Sequence, residues 1–435
     1  MKLRVLTVAI LAVALAVAAS TATGATRSAA GPASKQATTL TVWLQNDAQK
    51  GWADTVAAAT QAFEKQHPGV DVSVQYQQWG DHLTKFDATL AGGNAPDVLE
   101  FGNTETVKYS AAGALADLTS QKSTFPNSGS WLKGLKDSCT YNGKLYCIPY
   151  YAGARAVIYR TDFYRKAGIT SVPKTLSAFV ADGKKLMKTF GKDPDFSAFY
   201  FPGKNWYASM AFVYDYGGKI AYTRKHKWVG GLNSPQSIKA LTLLKSIVRS
   251  TSRASLTTDE SHPYPSIVFA KDKVASFIGN GWEWPYTLDD KVGNPALAPV
   301  MSAYPMPSHI KGRYMPTFLG GSDLAIPVTS KHKDLAADWL KAFTSTASMT
   351  AIAKAGNIPN TTSLLKLNAS DPKLAPFAEA AKSSWFIPAS PNWVNVENAN
   401  VLQNMLVRIF TGRASVKNAT TDASKQISSI LNQSA

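Results

Sequence analysis

The chain has 435 residues, 17% of them charged and 11% aromatic, with a formal net charge of +17 at pH 7 from 46 Lys and Arg against 29 Asp and Glu. That length suffices for two domains with sizeable cores. The positive charge alone does not make a nucleic-acid reader, which needs basic residues gathered on one face. Here lysines are spread along the sequence, as in Asp182-Gly-Lys-Lys185 and Lys331-His-Lys333, and attraction to an anionic wall or membrane surface is the milder reading.

The N-terminus opens with Lys2 and Arg4, followed by an uncharged apolar run from Val5 to Ala19 and by the small residues Ala18-Ala19-Ser20 and Thr23-Gly24-Ala25. A membrane span needs about 20 apolar residues. The shorter run predicts a secretory signal peptide over 1–25, and the small and polar residues of 26–38 predict a flexible leader. No cysteine follows the apolar run, which closes the bacterial lipoprotein route. The expectation is an extracytoplasmic protein that is periplasmic, secreted or held by an uncleaved signal.

Leu40 to Leu44 reads as a strand, Trp52 to Gln66 as an amphipathic helix stopped by His67-Pro68-Gly69, and Val70 to Tyr76 as an alternating strand. Trp79 to Ala91 predicts a second helix and Asp97 to Phe101 a third strand. Strands alternating with helices at this spacing predict a doubly wound α/β lobe. Ligands bind outside the carboxyl ends of such strands. The loops to watch are therefore Gln45-Asn46-Asp47, Gln77-Gln78-Trp79 and Gly102-Asn103-Thr104.

Cys139 and Cys147 are the only cysteines and flank Asn142-Gly143, a hairpin-turn signal. A two-residue turn sets Cys139 against Tyr146 and leaves Cys147 one position off; a bulge or wider loop sets the cysteines opposite each other. In an exported protein the pair predicts a local disulfide rather than a metal site.

Further strands are predicted over Ala156–Tyr159 and Val274–Ile278, and helices over 162–167, 175–190, 234–250 and 334–343. Phe201 to Tyr207 reads as a loop with an exposed aromatic pair, and Leu319 to Ile326 as a Gly-rich turn feeding a strand. The tail from Asn398 to Leu431 reads as helices broken at Thr411-Gly412, and no fixed-period repeat is present. After Ile278, Gly279 and Gly281 permit a sharp turn that delivers Trp282 and Trp284 to a strand end. A tryptophan face is a flat apolar platform that matches the C–H face of a sugar ring. The bland alternative is that one or both are core residues.

Five segments carry a family resemblance: Phe63-Glu-Lys-Gln-His-Pro-Gly-Val70, Ala95-Pro-Asp-Val-Leu-Glu-Phe101 with Ala112-Gly-Ala-Leu-Ala-Asp-Leu-Thr119, Tyr141-Asn-Gly-Lys-Leu-Tyr-Cys-Ile-Pro149, Val274 to Trp282, and Ser330 to Lys341. In this order the chain resembles the family 1 extracellular solute-binding proteins of ABC importers, in their maltose-binding-protein-like sugar branch. The resemblance implies two doubly wound α/β lobes joined by a hinge, closing on a ligand cleft between them. It places lobe 1 at 39–149 and 318–365, and lobe 2 at 150–317 and 366–435. It implies a monomer that serves importer permease subunits, peripheral to the membrane and without a cofactor. Trp282 matches the family's stacking tryptophan, Asn103 and Thr104 its polar contacts from lobe 1, Trp206 a second aromatic and Trp393 a third.

A neutral sugar needs aromatic faces for its C–H groups and polar side chains for its hydroxyls. Trp282 and Trp206 are the stacking candidates, with Trp43 and Trp79 across the cleft. Asn103, Asp323, Glu283 and Asn46 are the polar candidates, with Gly320 and Gly321 bringing backbone close. Tyr151 is placed to cap the sugar, and Arg155 to bind a hydroxyl or pair with Asp323. An amino sugar or chito-oligosaccharide, a β-glucoside and an α-glucoside all fit such a cleft. A secreted glycoside hydrolase or a wall-polysaccharide adhesin are the alternatives. The first needs two carboxylates flanking a scissile bond, and Asp259-Glu260, Glu283 and Asp289-Asp290 sit in no catalytic motif.

Overall fold

The computed structural model describes residues 38–433, so the expected signal peptide and almost all of the expected leader lie outside the described residues. Two sheets organise the fold. The first has six strands in the order Ile358–Pro359, Cys147–Gly153, Gly320–Ala325, Val98–Gly102, Thr38–Gln45, Val70–Gln77. The 38–45 strand runs parallel to both 70–77 and 98–102, while 320–325 is antiparallel to 98–102 and to 147–153. In the 38–45 strand, Leu40, Val42 and Leu44 are buried, as period-two alternation dictates for a sheet with a covered face. Val98 to Phe101 are all buried, because that strand sits mid-sheet. The helix Ala53–Gln66 turns Val56, Ala59 and Phe63 into this core, beside Trp339 and Phe343 from the helix Lys333–Phe343.

The second sheet is smaller. Arg155–Arg160 lies centrally, with Ser276–Asn280 and Met301–Tyr304 antiparallel on either side. Parallel bridges from Ser197 to Val274 and from Tyr200 to Phe277 extend it. Around it packs a mostly helical core from Leu176–Phe190, Trp206–Asp215, Pro235–Thr251, Val401–Thr411 and Val416–Leu431. Gly412 ends the 401–411 helix at φ 78°, a left-handed conformation that glycine adopts freely. None of the described helices is long and apolar enough to cross a membrane.

Cys147–Gly153 belongs to the first sheet and Arg155–Arg160 to the second, so the chain passes from one sheet to the other at Ala154. It returns at Leu319, since Thr317–Phe318 pairs with Ser384–Trp385 and Gly320 already pairs with Gly153. The helix Leu365–Ser370 follows the 358–359 strand. Asn368 of that helix donates to the carbonyls of Ala353 and Asn357, which holds it to lobe 1. Ala152, Ala154, Leu319, Ile358 and Ala381 form a small separate core at these crossings. At Gly321 a Cβ would stand 1.9 Å from the Tyr151 carbonyl, so the two crossing strands can lie this close only with glycine there.

Cys139 and Cys147 form a disulfide with Cα atoms 4.8 Å apart. The hairpin has the two-residue turn, with Thr140 opposite Leu145 and the Tyr146 amide donating to the Cys139 carbonyl. The cysteines therefore bridge diagonally, one position off register, and neither a bulge nor a wider loop is needed.

Candidate functional site

The topology gathers one set of strand ends. Gln45, Gln77 and Gly102 are the carboxyl ends of the parallel strands, and the Gly320 end of 320–325 and the Gly153 end of 147–153 lie at the same edge. Beside that edge opens a cleft of about 260 Å³, just under the ~300–1,000 Å³ of ordinary ligand pockets. Lobe 1 lines it with Trp79, Asn103, Thr104, Glu105, Tyr151 and Ser322; lobe 2 lines it with Arg155, Tyr207, Asn280, Trp282 and Phe318. Glycines 102, 153, 320 and 321 complete the wall.

Trp282 stands half-buried where the Ser276–Asn280 strand passes into the short helix Glu283–Thr287. Two tyrosines brace it edge-on: Tyr264 at 5.3 Å and 83°, and Tyr286 at 5.7 Å and 82°. Edge-to-face contacts of this kind fix a ring without covering both faces. Trp79, 37% exposed, faces the cleft from lobe 1, with its indole N–H donating to Asp47 at 2.6 Å.

Beneath Trp79 lies His82, buried, with Nδ1 2.9 Å from the Trp79 carbonyl and Nε2 2.9 Å from a Glu105 carboxylate oxygen. That same Glu105 oxygen accepts the Gly102 amide at 2.8 Å. Burial alone would lower the His82 pKa. The hydrogen bond and charge of Glu105, with the Trp79 carbonyl, outweigh it and hold His82 above the ordinary histidine value.

On the lobe 2 side Arg155 lies over the Tyr207 ring at 4.7 Å, and Tyr207 in turn stacks on Trp206 at 3.9 Å. Phe318 stacks on the same tyrosine at 4.9 Å. Burial raises the Tyr207 hydroxyl well above the usual phenol range, as it does that of Tyr151, so both stay neutral hydrogen-bonding groups.

Of the sequence-chosen residues, Trp282, Asn103, Thr104, Tyr151, Gly320, Gly321, Trp79 and Arg155 meet in this cleft. Six do not. Trp206 is buried because Asn205 caps a helix there, accepting the Ala208 amide, and the first helical side chain turns inward. The expected exposed pair is thus a buried tryptophan under a cleft-lining tyrosine. Trp393 is fully buried in the lobe 2 core, 6.0 Å from Trp206. Trp43 is spent on the sheet, donating to Gln75, and Asn46 donates to Gln78 outside the cleft wall.

Both acidic picks are structural. Glu283 accepts the Asn280 and Ser266 amides at 3.2 and 3.3 Å, pinning the turn that carries Trp282. Burial pushes its carboxyl up to about 7 against those bonds and the charge of Arg155. Asp323 is fully buried in lobe 1, accepting hydroxyls from Thr106 at 2.8 Å and Ser138 at 3.1 Å, and burial holds it at about 7. The expected pairing of Arg155 with Asp323 is absent among the described residues. The hydroxyls of Thr106 and Ser138 hold Asp323 in the lobe 1 core, away from Arg155.

Sequence reasoning missed Glu105, Tyr207, Asn280, Phe318 and Ser322. Signals existed for two of them. Tyr207 adjoined a chosen tryptophan, and Asn280 lies between the two glycines that flagged the turn.

Comparison with known proteins follows the same geometry. The family described as "Bacterial extracellular solute-binding protein" matches residues 58–376. The diacetylchitobiose binding protein DasA of Streptomyces coelicolor is 33% identical over 401 residues, covering 91% of this chain and 89% of its own. A solute-binding protein of Thermotoga lettingae, solved with α-D-tagatose, superposes with a TM-score of 0.76 at 22% identity, covering 91% of this chain and all of its own. The GacH receptor of Streptomyces glaucescens, solved unliganded and with acarbose, gives 0.76 at 20% identity over 92% of this chain and all of its own.

Proposed function

Because the chain belongs to the bacterial extracellular solute-binding proteins, we propose that it captures a neutral sugar between its lobes and hands it to the permease subunits of an ABC importer. The braced Trp282 ring carries this reading, since it offers a fixed apolar face inside a cleft that also carries polar groups. Asn103, Thr104, Asn280 and Arg155 supply donors and acceptors for hydroxyls that leave water. Trp79 and Tyr207 supply further ring faces.

The protein works as a monomer. It is exported by its N-terminal segment and acts outside the cytoplasm. N,N′-diacetylchitobiose, the sugar in the name of the Streptomyces coelicolor relative, is the first cargo candidate. An acetamido group needs a donor, an acceptor and an apolar contact together. Arg155 lying on Tyr207, beside Asn280 and Phe318, supplies all three in one corner of the cleft.

The glycosidase alternative lacks its pair of acids. Glu283 is tied to backbone amides and Asp323 is buried in lobe 1, so Glu105 is the one carboxylate among the cleft-lining residues described, and it is occupied by His82 and Gly102. A thermal-shift screen of the exported protein against diacetylchitobiose, N-acetylglucosamine, cellobiose, maltose, trehalose and xylobiose tests the proposal. At a hundredfold excess over Kd a ligand specific for the folded state adds about 2.7 kcal/mol. A single stabilising sugar supports the reading; a flat screen rejects the neutral-sugar assignment.

A further inference from the structure

The charge that looked evenly spread in sequence is not evenly spread in space. Residues 38–153 and 320–370, which form lobe 1, carry 13 Lys and Arg against 14 Asp and Glu. Residues 154–319 and 371–433, which form lobe 2, carry 29 against 15. The excess positive charge of the described residues therefore sits on one lobe, while the other is close to neutral.

Within lobe 2, two adjacent helices, Leu176–Phe190 and Pro235–Thr251, carry six Lys and Arg against one acid. They pack where a Cβ on Gly183 would meet the Thr251 methyl at 3.1 Å. Lys184, Lys188 and Arg249 are exposed and Lys245 half-exposed on their solvent sides, and none of the four forms an ion pair among the described residues. The 235–251 helix contains no acidic residue at all. The one acid of the 176–190 helix, Asp182, is buried and paired with Lys185. Nearby Asp193 is likewise engaged, by Lys273. The two helices thus present four unpaired cations and no free carboxylate of their own.

We propose that this two-helix face of lobe 2 docks electrostatically on the anionic phospholipid surface of the membrane in which the importer sits. The attraction reaches about one Debye length, ~8–10 Å at physiological salt, and holds the protein near the bilayer without insertion. One-sided charge also fixes orientation: lobe 2 lies towards the lipid and the near-neutral lobe 1 away from it.

The test is co-sedimentation of the exported protein with phosphatidylglycerol-containing vesicles at low and ~0.5 M salt, with phosphatidylcholine vesicles as reference. One variant carries Lys184→Glu, Lys188→Glu, Lys245→Glu and Arg249→Glu. A control carries the same charge change on exposed lobe 1 lysines, as Lys50→Glu, Lys65→Glu, Lys136→Glu and Lys354→Glu. Melting temperature confirms that both variants fold. The proposal expects salt-sensitive binding that falls at least ~10-fold in the lobe 2 variant and less than ~3-fold in the control. Equal losses would show a response to net charge alone and overturn the face. Salt-insensitive binding would assign the association to the apolar N-terminal segment. Absent vesicle binding, including binding only to wall polymer or to the importer, overturns the lipid proposal.

Discussion

Trp282→Ala is the perturbation that separates platform from packing. The ring is half-buried, braced at its edges by Tyr264 and Tyr286, and open to the cleft. Removing it deletes an apolar contact of roughly 60–100 Å² with a stacked sugar, ~1.5–2.5 kcal/mol at 25 cal/mol/Å². The oriented ring contact adds about 0.5–1.5 kcal/mol. A total of ~2–4 kcal/mol corresponds to a Kd raised about 30- to 1,000-fold. The same substitution costs the fold less, because the ring is already partly exposed and the turn beneath it is held by Glu283. Calorimetric titration with the cognate sugar, paired with a thermal melt, reads both effects. A Kd within threefold of wild type would refute the stacking role. A collapse of the melting transition would show that Trp282 is a core residue after all.

Other expectations follow from the same geometry. Tyr207→Leu should weaken sugar binding about tenfold, whereas Trp206→Ala should cost roughly 3–5 kcal/mol of stability because that ring is core; urea unfolding and titration distinguish them. Burial raises the carboxyls of Glu100, Glu283 and Asp323 to about 7 in the folded chain, so each favours its protonated form there. Their stability contribution is present below the unfolded value near 4 and is lost as pH rises towards 7. His82, also raised, loses its contribution as pH climbs above 6.5. All four signs agree, and the melting temperature should be higher at pH 5 than at pH 8; a rise with pH would contradict these burial shifts. Replacing both Cys139 and Cys147 by serine should lower stability by about 2–3 kcal/mol, the loop-closure value for so short a loop, with sugar affinity unchanged.

Lobe 1 was legible because its strands and helices each carry a local period. Leu40, Val42 and Leu44 alternate, and Val56, Ala59 and Phe63 share one helix face. The carboxyl-end rule then pointed to the loops holding Trp79, Asn103 and Thr104, and all three line the cleft. What stayed hidden was side-chain direction. Asp323 follows the cleft-lining Gly320 and Gly321 in sequence, yet past a register irregularity at Ser322 and Asp323 it is held in the core by Thr106 and Ser138. Trp206 and Tyr207 differ by one helical step, decided by the Asn205 cap. Glu283 looked like a sugar acceptor because the backbone amides of Asn280 and Ser266 that bind it carry no sequence signature. The basic face escaped for a related reason: Lys184 and Arg249 are far apart in sequence and meet only when their helices pack.

The most direct test of the account is a calorimetric titration of the exported protein with N,N′-diacetylchitobiose, followed by analysis of the recovered sugar. The account predicts one equivalent bound, at micromolar Kd or tighter, with the disaccharide recovered intact and Trp282→Ala binding at least ~30-fold more weakly. No heat with this or any other neutral sugar of the panel, or recovery of cleaved monosaccharide, would contradict it.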